Sequence, residues 1–233
     1  MHTEGLSTMP DHYIVTIDGP AGSGKTTAAQ GLARRLGIKY FNSGALYRAV
    51  AWLGLSAGID LGDTPRLLAR LKRTRIETRE VDGKERLLLD GRDVTEELSR
   101  NEISREVYRV ADPAEIRREV GNLAHRLNAS RSFVTEGRDQ GTEVFPEAAV
   151  KFYLDARPEV RAERRRLELE GRGERISREA VLRQILERDA RDRGRKIGAL
   201  RRTDEAVYLD DSDLSREETV ERMVGVVKER LGI

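Results

Sequence analysis

Residues 13–30 read YIVTIDGPAGSGKTTAAQ. A short apolar strand, Tyr13 to Ile17, runs into Gly19-Pro20-Ala21-Gly22-Ser23-Gly24-Lys25-Thr26, which satisfies G-x-x-x-x-G-K-[ST]. Glycines at 19, 22 and 24 let the backbone turn tightly and aim its N–H groups at phosphate oxygens, and the helix that follows adds the positive end of its dipole. Lys25 can reach the β- and γ-phosphates, and the hydroxyl of Thr26 or Thr27 can hold Mg²⁺. The pattern alone recurs by chance. Here it lies between a strand and the amphipathic stretch TTAAQGLARRLG, with Gly37 placed to cap the helix. That context predicts a site for a nucleoside triphosphate with Mg²⁺.

Outward from this loop, IKYFNSG reads as a second strand and ALYRAVAWLGLSAG as a helix, with Ser43 open to two readings, N-cap or ligand group. From Asp60 to about Asp112 the texture changes. Two strand-like runs flank Asp82-Gly83, a hairpin signal, a second Asp-Gly turn stands at 90–91, and Ile103, Val107, Val110 and Ala111 mark a helix. This segment, 60–112, reads as an inserted subdomain. Residues 12–59 and 113–233 then form the core, and 1–11 a loose tail. The core resumes with the helix EIRREVGNLAHRL, the strands RSFVTEG and AAVKFYLDA, the helix PEVRAERRRLELEG, a strand in EAVYLDDS and a last helix, REETVERMVGVVKERLG. Strands alternating with helices after a phosphate loop imply a three-layer α/β fold with a mainly parallel sheet, and ligands gather at the C-terminal ends of its strands.

Composition narrows the class. The 233 residues are 38% hydrophobic and 36% charged, with a net charge of only +2, which suits a globular chain and gives no basic tail for nucleic acid or membrane. Cysteine is absent, excluding disulfides and thiolate metal sites. The opening MHTEGLSTMPDH lacks the pattern of a signal peptide, and the longest mostly apolar stretch, Ala49 to Ile59, is about half of what a bilayer requires. A cytoplasmic protein is expected, acting as a monomer on small molecules.

Two apolar strands end in acids, Glu136 and Asp155, and either resembles the acid that supports Mg²⁺ beside a phosphate loop; Asp155, close to Pro158, also reads as a turn former. Arg138 and Asp139 follow the first of these strands in the glycine-flanked loop EGRDQGTEVFP. Farther on, ERDARDRGR (187–195) continues a helix that Ser177 caps. Glu187 with Arg191 and Asp189 with Arg193 are i,i+4 pairs that need no function. Arg188, Asp192 and Arg195 extend the row of Val181 and Ile185, while Leu182, Leu186, Asp189 and Arg193 form a rival row. Periodicity does not choose between them.

IDGPAGSGKTT, NSGALYR, GRDQGTEVFP and ERDARDRGR, in that order and separation, resemble the bacterial cytidylate kinases. The resemblance runs from Tyr13 nearly to the C-terminus, and the mid-chain insertion is similar to that family's nucleoside-monophosphate-binding subdomain. It implies transfer of the γ-phosphoryl group of ATP to CMP or dCMP. The Gly19–Thr27 loop would bind ATP, together with Arg161, Arg164 and Arg165 of a helical lid at 157–176. Arg48, Arg138 and Arg195 would hold the CMP phosphate, Ser43, Arg117 and Asp139 the cytosine side, and Arg188 and Asp192 the ribose, with Tyr47 packing in the pocket. Lys25, Arg138, Arg188 and Arg195 would carry the catalysis. Arg117 is chosen over Arg118 by matching an IR motif. The chain departs from the family pattern at Tyr108, where a serine usually helps to read cytosine, at Gln140, usually apolar, at Ala124, usually glutamine, and at Arg157, where a helix cap is usual.

The chemistry agrees. The histidines, at 2, 12 and 125, form no general-base constellation, and a monophosphate acceptor needs none, since its second pKa of ~6 leaves an ionised oxygen at neutral pH. Two rival readings are a kinase for UMP or a small alcohol such as glucose or shikimate, and a nucleic-acid-dependent ATPase. The second would show salt-sensitive RNA binding.

Overall fold

The computed structural model describes residues 12–81, 84–171 and 173–233. In chain order the elements are β1 (Ile14–Asp18), α1 (Lys25–Leu36), β2 (Lys39–Phe41), α2 (Ser43–Ser56), α3 (Thr64–Arg73), β3 (Ile76–Val81), β4 (Lys84–Leu89), β5 (Arg92–Asp93), α4 (Asn101–Ala111), α5 (Ala114–Asn128), β6 (Phe133–Gly137), β7 (Val150–Asp155), α6 (Pro158–Glu170), α7 (Arg178–Gly194), β8 (Val207–Asp210) and α8 (Arg216–Leu231). They fall into two compact units, the first comprising, among the described residues, 12–41, 130–194 and 199–233, the second 42–129 and 195–198.

In the first unit the expected α/β architecture is observed: a parallel sheet ordered β2-β6-β1-β7-β8. The central strand is the one that feeds the phosphate loop. Its Val15 faces Val134 and Val150 in register, and Ile17 faces Glu136 and Phe152. One core packs Val15, Ile17, Val134, Val150, Phe152 and Leu154 against Ala28, Ala29 and Leu32 of α1 and Met223, Val224 and Val227 of α8. Burial on both sides is why these strands read as continuous apolar runs. Because the strands are parallel, Asp18, Gly137, Asp155 and Asp210 all lie at one edge of the sheet. α1 closes on Gly37 in the left-handed region (φ 68°), as expected. Ser215 and Glu218 form a capping box on α8.

In the second unit β3, β4 and β5 form an antiparallel sheet, with Ile76 opposite Leu89 and Leu88 opposite Asp93. The Asp90-Gly91 turn is present with both residues at positive φ (51° and 83°). The Asp82-Gly83 turn and the 1–11 tail lie outside the described residues. The unit extends beyond the 60–112 segment marked by sequence texture, because α2 and α5 pack with α3 and α4. The helix α3 was not expected; its signals are Asp63, which caps Arg66 N–H at 3.2 Å, and Pro65 in the first turn.

Candidate active site

The phosphate loop leaves the end of β1 with Gly19, Gly22 and Gly24 at φ 156°, 76° and 79°. Gly19 also has no room for a side chain, since a Cβ there would stand 2.0 Å from the carbonyl oxygen of Leu154. Lys25 opens α1 and is buried, its Nζ donating to Pro20 O at 2.6 Å and to Ser23 Oγ at 3.3 Å. Burial pushes its pKa down to about 7, the Arg138 and Arg188 guanidiniums push the same way, and Glu136 and Asp18 oppose them. Its charge is therefore poised to be restored by an arriving polyanion.

Thr26 Oγ1 donates to Glu136 Oε1 at 2.9 Å. This hydroxyl and carboxylate bring hard oxygens to the mouth of the loop, a donor set that fits Mg²⁺. Thr27 is exposed at the next position. Of the two strand-end acids, Glu136 is thus the one beside the loop, while Asp155 accepts the N–H of Ala156 at 2.8 Å as a turn former.

Asp18 is a residue that sequence reading passed over. Its carboxylate accepts the N–H of Gln140 at 2.8 Å and of Gly141 at 2.7 Å, tying down the loop that carries Arg138 and Asp139. Burial raises it to about 7, against the pull of those two N–H donors. Gln140, the departure from an apolar residue, is buried and accepts from Thr135 Oγ1 at 3.2 Å, so its amide is absorbed by the strand below it. Arg138 donates through Nε to Asp192 Oδ2 at 2.8 Å and through Nη1 to Gly137 O at 3.1 Å.

On α7 the buried positions are Val181, Ile185, Asp189 and Asp192, while Arg188 and Leu186 are exposed. Neither row read from spacing survives whole. Asp189, read as half of a surface pair with Arg193, is fully buried and pairs instead with Arg161 at 2.6 Å. The row of Val181 and Ile185 loses Arg195, because α7 ends at Gly194; Arg195 belongs to the second unit, where its Nε donates to Asp112 Oδ1 at 2.8 Å.

The three arginines expected above the triphosphate occupy different settings. Arg161 is buried behind the loop, donating to Ala21 O at 2.8 Å. Its Nε and Nη1 are thus committed to protein groups on this side of the loop. Arg164 holds Asp211 through the carboxylate and the carbonyl, both at 2.9 Å, and its Nη1 lies 3.9 Å from where a Gly24 Cβ would be. Arg165 pairs with Glu168 at 2.7 Å on the outer face of α6.

In the second unit the N-cap of α2 is Asn42, which accepts from Ala45 N–H, so Ser43 is buried at the first helical position with its hydroxyl not used as the cap. Arg117 is buried, donates to Ala111 O at 2.8 Å and stacks its guanidinium 5.6 Å from the Tyr47 ring centre; Arg118 is exposed. Arg48 and Tyr47 are half-buried on α2. Tyr108 stands out from α4, about half exposed. No helix among the described residues is long and apolar enough to cross a membrane.

Residues 15–229 match the sequence model of the family described as "Cytidylate kinase". Curated cytidylate kinases resemble the chain along nearly all of its length: that of Fervidobacterium nodosum is 40% identical over 222 residues, 95% of this chain and 99% of that protein. That of Streptomyces avermitilis is 37% identical over 232 residues, covering 99% and 98%. Among solved structures, TT1252 of Thermus thermophilus aligns with a TM-score of 0.49 at 23% identity, over 94% of this chain and 98% of that one.

Proposed function

Because the chain belongs to the cytidylate kinase family, we infer that it transfers the γ-phosphoryl group of ATP to CMP or dCMP, giving ADP and CDP or dCDP. A phosphate oxygen of the acceptor forms the new P–O bond to the γ-phosphorus, the bond to the β-phosphate oxygen breaks in line with it, and ADP leaves. The acceptor oxygen is already ionised near neutral pH. The protein's task is then alignment, charge neutralisation and exclusion of water.

The observation that supports this reading is the geometry of the loop: Gly19, Gly22 and Gly24 at positive φ, the buried Lys25 Nζ held at Pro20 O and Ser23 Oγ, and the Thr26 hydroxyl beside Glu136. A buried lysine pushed down to about 7 by burial and two guanidiniums gains a complementary anion when the triphosphate binds. Lys25 would hold the β- and γ-phosphates together with the N–H groups of the Gly19–Thr27 loop. Mg²⁺, held at the Thr26 hydroxyl with Glu136 behind it, would neutralise charge on the same phosphates. Arg138, fixed by Asp192 and Gly137 O, would present its free edge to the transferring group with Arg188. Asp192 is thus given a task beyond the ribose contact: its carboxylate orients Arg138. Asp139 would read cytosine from this unit. On the second unit Ser43, Tyr47, Arg48, Arg117 and Arg195 would bind the acceptor, with Tyr108 in place of the usual serine. The segment 157–176, with Arg164 and Arg165, would be the lid, and the protein a cytoplasmic monomer.

An acceptor screen with ATP and Mg²⁺ tests the assignment. CMP and dCMP should be phosphorylated faster than UMP, glucose or shikimate, and a clear preference for either alcohol over every nucleoside monophosphate overturns it. Tyr108→Ser, measured alongside, shows whether base preference responds to that departure.

A further inference from the structure

The Arg161–Asp189 pair has no place in the chemistry above, yet it is the most deeply buried ion pair described in the molecule, with side chains 3% and 0% exposed. Stability does not account for it, because a buried ion pair is commonly no more stabilising than apolar residues of the same size. Its contacts are specific. Asp189 Oδ1 accepts the N–H of Ala21 at 2.9 Å, and Arg161 Nη1 donates to the Ala21 carbonyl at 2.8 Å and to Asp189 Oδ2 at 2.6 Å. Arg161 Nε donates to Ala156 O at 2.8 Å, tying the pair to the end of β7. One residue of the phosphate loop thus has both its backbone groups taken by one charge pair.

The loop needs such a hold. Glycines with positive φ at 19, 22 and 24 make its backbone permissive, so its shape has to be set from outside. The outside support comes from α6 and α7. A Cβ at Gly22 would lie 3.2 Å from Arg161 O, so that turn of the loop rests on α6. The two helices are zipped together by Ala162, Leu169, Val181 and Ile185 and joined by the segment 171–177.

We propose that Arg161 and Asp189 are positioning residues that set the phosphate loop through Ala21 and couple it to the α6–α7 hairpin, so that ATP affinity depends on the pair while acceptor affinity does not. This rests on the kinase reading only in taking ATP as donor. It separates Asp189 from its neighbours in ERDARDRGR: Arg188 and Asp192 face the reaction, whereas Asp189 grips the donor loop from behind.

The double variant Arg161→Met/Asp189→Leu removes both charges without leaving either one buried alone, so the fold is expected to persist with a Tm close to the parent's. Its affinity for ATP alone, measured calorimetrically without any acceptor, should fall by about tenfold or more, the loss expected for charge-assisted hydrogen bonds. The KM for CMP should stay within about twofold. Arg161→Lys keeps the charge but has one ammonium to serve three acceptors, and should show an intermediate loss of ATP affinity. In the parent protein the Ala21 amide should exchange slowly with deuterium in the absence of nucleotide. A folded double variant with parental ATP affinity overturns the proposal. So does an equal rise in both KM values, and, even if no variant folds, so does a fast-exchanging Ala21 amide. Direct ATP binding keeps this result separate from the acceptor assignment, which would fail in the acceptor screen while ATP affinity still followed the pair.

Discussion

Three arginine ion pairs in the first unit and three in the second differ in the burial of the acidic partner. In the first, Arg161, Arg138 and Arg164 each meet a buried aspartate, at 189, 192 and 211, and each bond also reaches or steadies the loops at the strand ends. In the second, Arg75 with Glu77, Arg92 with Glu97 and Arg109 with Asp60 lie largely in solvent. The first unit has surface pairs as well, Arg157 with Asp213 and Arg165 with Glu168, so the same residue type both grips buried carboxylates and laces a surface within one unit. Arginine count alone cannot tell the two apart; what separates them is whether the acidic partner is buried. Variants that remove buried-partner bonds should alter catalysis, and those that remove exposed bonds should not.

The largest effect is expected at Lys25. Lys25→Met should lower kcat by about 10²–10³-fold, the scale for losing one preorganised charged donor. The same residue gives a pH signature. In the ligand-free fold its pKa is lowered to about 7 from 10.5, so between those values the unfolded chain binds a proton that the folded one does not. Its contribution to stability is therefore lost as pH falls from 10.5 towards 7. Asp18 runs the other way: raised to about 7 from 3.8, it retains a proton in the folded state that the unfolded chain has released, so stability falls as pH rises across that window. The contributions of these two groups are together least favourable near neutrality. ATP should restore the Lys25 charge, so its binding at about pH 8 should take up close to one proton, read as a dependence of the binding enthalpy on buffer ionisation. Lys25→Met should abolish that uptake. Uptake unchanged in the variant would move the proton to another group.

Asp192 comes next. Asp192→Ala leaves the Arg138 guanidinium without the carboxylate that orients it, and should raise the KM for CMP by about tenfold while ATP affinity holds. If Asp192 also reads the ribose, the ratio of CMP to dCMP use should shift in the same variant. If the ratio is unmoved while KM rises, its work is the orientation of Arg138 alone.

How far these roles were legible in the sequence follows from where each signal is stored. The phosphate loop is written in consecutive residues, and the strand and helix around it follow from apolar period, so β1, α1 and the parallel sheet could be read directly. The Asp90-Gly91 turn was legible for the same local reason. Asp189 was misread because an i,i+4 acid–base spacing exists whether or not the helix face is buried, and burial here is decided by Ala21 and Arg161, which lie 168 and 28 residues away along the chain. Asp18 was overlooked although it directly precedes the loop, since its partners are N–H groups of residues 140 and 141, and backbone donors leave no mark in composition. Ser43 was displaced as cap by Asn42, one residue earlier, an ambiguity that two adjacent polar residues at a helix start always carry. α3 was missed because only Leu67 and Leu71 are buried along it.

The smallest effect tests the comparison from its weak side. Arg109 bonds Asp60 at 2.5 Å and Glu106 at 3.3 Å, a shorter and busier arrangement than several in the first unit. Distance alone would rank it among the functional arginines. Its partners are exposed, however, and exposed ion pairs are screened by water and salt and must hold long side chains in one geometry, so their net contribution is small. Arg109→Ala should move Tm by less than about 3 °C, an effect that shrinks further in high salt, and leave both KM values within about twofold. A loss of CMP affinity comparable to that of Asp192→Ala would show that burial of the acidic partner is the wrong criterion. It would then reassign Arg109 from the surface lacing to the acceptor side of the second unit.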